Sequence, residues 1–210
     1  MNQQDVQVKE AGGFESENRH RRIRRQAALH CAQVLAGMKA SNIFIMSEGT
    51  GQDLDAVLAG TGIEYRKLCQ DGKRKVYLLY RRGRAERILS DPAVRGFFER
   101  YGYASFELDQ VLERLAERYG AYAGGEEEFP HEIGLILEYP LCDVEGFIEH
   151  RGKDFLFSGY WKVYGNPEET KKLFAAYRAV QKKVMEEVER GYMFWQLSSV
   201  HGGETAAAGI

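Results

Sequence analysis

FPHEIGLILEYPLCDVEGFIEHRGKDFLFSGYWKVYG, Phe129 to Gly165, concentrates more special residues than any other stretch of this chain. Pro130 and Pro140 each suit the first position of a short helix, where the N–H that proline lacks has no intrahelical partner. Gly152 closes the second helix. Asp154–Tyr164 then alternates as a strand does. Phe155, Phe157, Gly159, Trp161 and Val163 take one face, and Leu156, Ser158, Tyr160, Lys162 and Tyr164 take the other.

Upstream, Ile23, Ala27, Cys31, Val34, Leu35 and Met38 fall on one face of a helix expected over Glu17–Met38. Its start is crowded with Arg19, His20, Arg21, Arg22, Arg24 and Arg25, a charge that opposes the helix dipole. Asn42–Met46 reads as a short strand. Thr50-Gly51-Gln52-Asp53 opens a helix that Gly60 stops. Ile63–Cys69 and Lys75–Tyr80 flank Asp71-Gly72, a pair that accepts the backbone of a tight hairpin turn. Short helices follow at Arg84–Leu89 and Pro92–Tyr101. Leu108, Val111, Leu112, Leu115 and Tyr119 then form an apolar stripe ended by Gly120. Downstream, Asn166 caps a last helix, with Pro167 at its first position and Leu173, Tyr177, Val180, Val184 and Val188 along one face as far as Gly191. The expectation is a helix-rich α+β protein, one globular domain over 18–197, with a small mixed sheet of about four strands. Residues 1–17, polar and glycine-rich, are expected to be disordered, and 198–210 a flexible tail.

Bulk composition bounds the function. Basic and acidic residues number 29 and 31, for a formal charge of −2, which argues against a dedicated nucleic-acid surface. No apolar run approaches the roughly 20 residues of a membrane span, and no signal-peptide core begins the chain. The three cysteines, Cys31, Cys69 and Cys142, form no CxxC pair. A reducing, cytoplasmic setting is the simplest reading.

Chemistry has few places to live. His131 and Glu132 follow Pro130 in a first helical turn, where the dipole disfavours imidazolium and favours a carboxylate. Together they could serve as general base and orienting acid. Leu135 stands where an HExxH zinc site needs its second histidine, so no metal-ligand set is read. Cys142 is flanked by Asp143 and Glu145, which oppose a thiolate. Ser47–Gly51 joins a strand to a helix as phosphate loops do but lacks their GK[ST] ending. Tyr160, Lys162 and Tyr164, projecting together, would stack a planar ring and pair one negative charge. Arg74, Arg81, Arg82 and Arg84, within a basic cluster, would suit an acidic protein partner.

Phe129-Pro130-His131-Glu132-Ile133-Gly134, Tyr139-Pro140-Leu141, Asp143-Val144, Gly146-Phe147-Ile148 and Gly159–Gly165 resemble the signature of a bacterial family, domain-of-unknown-function family 3793. Leu35–Asn42 resembles its N-terminal block. The resemblance covers about His30 to Tyr177, implies no established activity and names no particular cofactor. Cys142 departs from it, where relatives carry an acidic residue. Members occur in anaerobic bacteria, in places near flavodoxin-type or iron-uptake genes, so a flavodoxin is one example of an acidic partner that the arginine cluster would suit. A shared site would involve His131, Glu132, Tyr160, Trp161 and Lys162. Three readings follow: a cytoplasmic protein binding a small planar or anionic ligand or a redox cofactor, an enzyme built on His131 and Glu132, or an adaptor for an acidic redox protein.

Overall fold

A computed structural model describes residues 3–201, with side chains from Gly13 to Leu197. Most of the tail expected at 198–210 lies outside the described residues. The long first helix α1 spans Gln3–Leu35, so it starts upstream of Glu17, inside the segment read as disordered, and it bends where Cys31 leaves helical geometry. Strand β1 (Ser41–Met46) leads to α2 (Gly51–Leu58), whose start is held by the Thr50 backbone N–H donating to the Asp53 carboxylate at 2.7 Å. The hairpin β2 (Glu64–Asp71) and β3 (Arg74–Tyr80) turns at Gly72, which has the positive φ of 53° that a two-residue turn needs. Then come α3 (Arg82–Ser90), α4 (Pro92–Arg100, capped by Asp91) and α5 (Leu108–Ala123), which runs past Gly120 to a cap at Gly124.

The three long strands form one antiparallel sheet in the order β1-β3-β2. β3 lies in the middle, and its alternation decides the architecture. Val76, Leu78 and Tyr80 point into a core shared with α3, α4 and α5, while Tyr77 and Leu79 point into a second core with α1 and α2. Covered on both faces, β3 reads as a near-continuous apolar run rather than a half-polar one.

The remaining elements build a corner on this sandwich. The segment from Pro130 leads into the four-residue α6 (Ile133–Ile136), so Pro130 lies before the helix rather than at its first position. Next is α7 (Leu141–Glu149), preceded directly by Pro140. The expected strand Asp154–Tyr164 is instead two short strands, β4 (Phe157–Ser158) and β5 (Lys162–Val163), paired antiparallel around Gly159-Tyr160-Trp161. The protein is therefore α+β as read, with its strands in two antiparallel sheets rather than one mixed sheet. Helix α8 (Pro167–Glu189) packs along α1. Asn166 precedes it in a left-handed conformation, without a side-chain capping bond. A final helix α9 (Phe194–His201), not expected from sequence, buries Phe194 and Leu197 in the α1/α2 core. No described helix is long and apolar enough to cross a membrane.

Candidate functional site

Asp143, in the first turn of α7, organises the corner. Its carboxylate is almost fully buried and accepts from Trp161 Nε1 at 2.7 Å, from the Tyr164 backbone N–H at 2.7 Å and from the Gly165 N–H at 2.9 Å. Three N–H donors satisfy a buried charge that no basic side chain pairs among the described residues. These bonds tie the β4–β5 hairpin to α7. From the other side the hairpin is closed by Gly159, where a Cβ would come within 2.3 Å of the Phe174 ring on α8. Trp161 is clamped between Tyr139, stacked at 4.7 Å between ring centroids, and Phe174, edge-on at 4.5 Å.

Between this hairpin and α6–α7 lies a cavity of about 410 Å³, within the range of small-molecule sites. It opens where the α3–α7 core meets the smaller cluster around Trp161, Val163, Phe174 and Tyr177. Its walls include Phe129, Phe147, Tyr139 and Trp161, with Ile133 and Val144 beneath. His131, Tyr160 and Lys162 all reach it. The His131 ring sits half-buried between Phe129 and Phe147, at 5.3 and 5.5 Å. Burial, with a smaller push from Arg118, lowers its pKa below the ordinary imidazole value against the opposing pull of Glu128, which favours the neutral ring. Lys162 Nζ donates to the Gly152 carbonyl at 2.6 Å and lies over the Phe155 and Phe147 rings, at 5.0 and 5.5 Å. Tyr160 packs edge-on against Phe174 and Tyr177, and its hydroxyl accepts from Gln33 Nε2 at 3.3 Å.

Tyr164 does not join them. The hairpin turn breaks the expected alternation, and its ring lies over Gly146, whose added Cβ would meet it at 2.6 Å, and stacks on His150. Nor does Glu132 stand by His131. The two neighbours diverge, and the fully buried Glu132 carboxylate accepts from Tyr103 Oη at 3.0 Å and from Arg118 Nη1. Its other oxygen has no partner among the described residues. Burial and this carboxylate raise the Tyr103 pKa, which keeps the phenol a donor. Glu132 is thus a packing anchor between α6 and α5, and it does not orient His131.

The arginines read as a partner surface are largely engaged within the fold. Arg81 donates to the carbonyls of Val34 and Leu35 at 2.8 and 3.0 Å, satisfying the C-terminal end of α1. Arg82 bridges Glu64 and Asp109 at 2.8 and 2.9 Å. Arg84 pairs with Glu138 at 2.9 Å and donates to the Gly37 carbonyl. Only Arg74 of the four is exposed. Cys142 is an exposed thiol whose pKa burial and Asp143 push up, so it is not an activated thiolate.

Sequence reasoning missed the supports behind the cavity wall. Lys39 is buried, donates to Asn42 Oδ1 at 3.2 Å and lies 5.1 Å above the Tyr139 ring. Burial lowers its pKa to about 8, against the opposing pull of Cys31 and Glu138. Glu138, at φ 61°, uses its carboxylate to accept from the Ala40 backbone N–H at 2.7 Å as well as from Arg84. In the sequence Asp143 stands out as a charge beside Cys142 and as part of the family signature, and its place in a proline-led first turn is the signal for its structural role. Every non-glycine residue with positive φ among those described (Glu138, Arg151, Asp154 and Asn166) belongs to the α6–α8 corner. Each costs about 1 kcal/mol or more, and such strain gathers at functional sites.

No curated protein and no solved structure matches the chain. A family model described as "Protein of unknown function (DUF3793)" matches residues 27–198, which takes in the sheet, both large cores apart from Ile23, and the whole cavity corner. The chain belongs to that family.

Proposed function

We propose that this is a cytoplasmic binding protein whose ligand, a small planar or anionic molecule or a redox cofactor, occupies the cavity between α6–α7 and the β4–β5 hairpin. The observation that carries the reading is the convergence of His131, Tyr160 and Lys162 on one cavity walled by aromatic rings. Planar ligands gain from stacking and edge contacts on such walls, and an ammonium beside them supplies one charge-assisted bond. The reading of Tyr164 as a ligand contact is dropped, because its ring is used against Gly146 and His150.

The test is native mass spectrometry of the purified full chain with an absorption spectrum, followed by a thermal-shift screen of planar acids and redox cofactors. A bound mass, a chromophore or a ligand-dependent rise in melting temperature is expected. His131→Ala and Lys162→Ala should weaken it while far-UV circular dichroism stays unchanged. Binding that persists undiminished in both variants sinks the proposal.

A further inference from the structure

We infer that the cavity selects a planar monocarboxylate over phosphorylated or uncharged planar molecules. This rests on the binding reading above and deepens it. Among the described residues no arginine lines the cavity, and Lys162 is its one lysine. Its ammonium has three donors; one is spent on the Gly152 carbonyl, and the head is held beside the Phe147 and Phe155 rings. The donors that remain match the two oxygens of a carboxylate.

The Asp143 carboxylate also lines the cavity, satisfied by N–H donors but with no cation beside it among the described residues. A phosphate dianion would therefore meet one ammonium and one carboxylate in a half-closed site, and burying its second charge would go uncompensated. Phosphate sites draw on several converging donors, commonly arginine forks or helix starts; here the four-residue α6 offers none, and the first turn of α7 brings the Asp143 carboxylate to the cavity. A monoanion is balanced by Lys162 alone.

The body of the ligand is set by the rings. Phe129 and Phe147 stand on the His131 side, and Tyr139 is stacked on Trp161 on the hairpin side. A cavity lined by these rings suits a flat ring system. The His131 ring, which makes no hydrogen bond to another described residue and whose burial favours the neutral form, offers one donor and one acceptor to a hydroxyl or ring N–H at the edge of that ring.

Three probes with the same ring separate the possibilities: naphthoate, naphthamide and naphthyl phosphate, titrated calorimetrically into the full chain at neutral pH. Naphthoate is expected to bind about tenfold or more tightly than either of the others, the contribution of one charge-assisted hydrogen bond. Lys162→Met should weaken naphthoate several-fold more than the amide, bringing the two to about the same affinity. Amide binding equal to naphthoate, tighter binding of the phosphate, or an equal loss of all three probes in Lys162→Met overturns the carboxylate inference and leaves the binding site standing. Binding of none of the probes overturns both. The comparison on the unmodified chain does not depend on the variant folding.

Discussion

Lys39 illustrates how a single buried charge becomes a property of the whole protein. The residue is 3% exposed, and burial lowers its pKa from 10.5 to about 8. The unfolded chain holds this proton to higher pH than the folded one, so between these values the unfolded state binds more protons. Stability should therefore rise with pH from about 8 to about 10, by up to about 2 kcal/mol. Above that window the raised pKa values of Tyr65 and Tyr80, each about 12, push the other way. Urea unfolding at a series of pH values should show the rise in the native chain and its loss in Lys39→Met. Asp143 acts through its bonds. Asp143→Ala strands three N–H donors at the corner and is expected to cost about 2–4 kcal/mol. Trp161 emission should shift to longer wavelength as its indole N–H meets water, and an unshifted spectrum with unchanged stability would contradict the hub role.

At the scale of elements, two glycines in different settings predict opposite outcomes. Gly159 turns the β4–β5 hairpin against Phe174, whose ring is itself blocked by Trp161. Gly159→Ala should cost about 1–3 kcal/mol through overpacking. Gly96, exposed in the interior of α4, has open space around it, and Gly96→Ala should add about 0.5–1 kcal/mol. Thermal denaturation of the pair, side by side, checks the hairpin geometry directly. That geometry was not legible in the sequence. The alternation over Asp154–Tyr164 is real as a pattern, but the turn at Gly159 is imposed by Phe174 on α8 and by Asp143 on α7, partners distant in the chain. The β2–β3 hairpin was legible because its turn is chosen locally by Asp71-Gly72. The stripe of α5 was legible because helical periodicity needs no distant partner.

For the whole molecule, β3 is the shared element. Its alternate residues enter both large cores, so neither helical layer keeps a complete core without the sheet. The hairpin and cavity corner join this unit through Gln33, which donates to Tyr160 and to the Tyr177 carbonyl, and through Glu138, which meets Ala40 and Arg84. Unfolding is expected as one transition. With Trp195→Phe leaving Trp161 as the only tryptophan, denaturant curves followed by emission and by far-UV circular dichroism should coincide. A separate early loss of the Trp161 signal would mean that the corner opens on its own.

The class of fold, most of its elements and the residues around which the cavity forms were determined by the sequence alone, because periodicity, caps and turns act between residues close in the chain. His131, Tyr160 and Lys162 were recognisable there as side chains fitted to a planar or charged ligand. Only the tertiary structure decided that these three meet in one cavity, that Tyr164 and Glu132 turn away, and that three of the four arginines are used inside the fold. Those outcomes depend on where a side chain points once distant elements pack. Buried donors and acceptors must be satisfied by whichever partner the packing brings within reach.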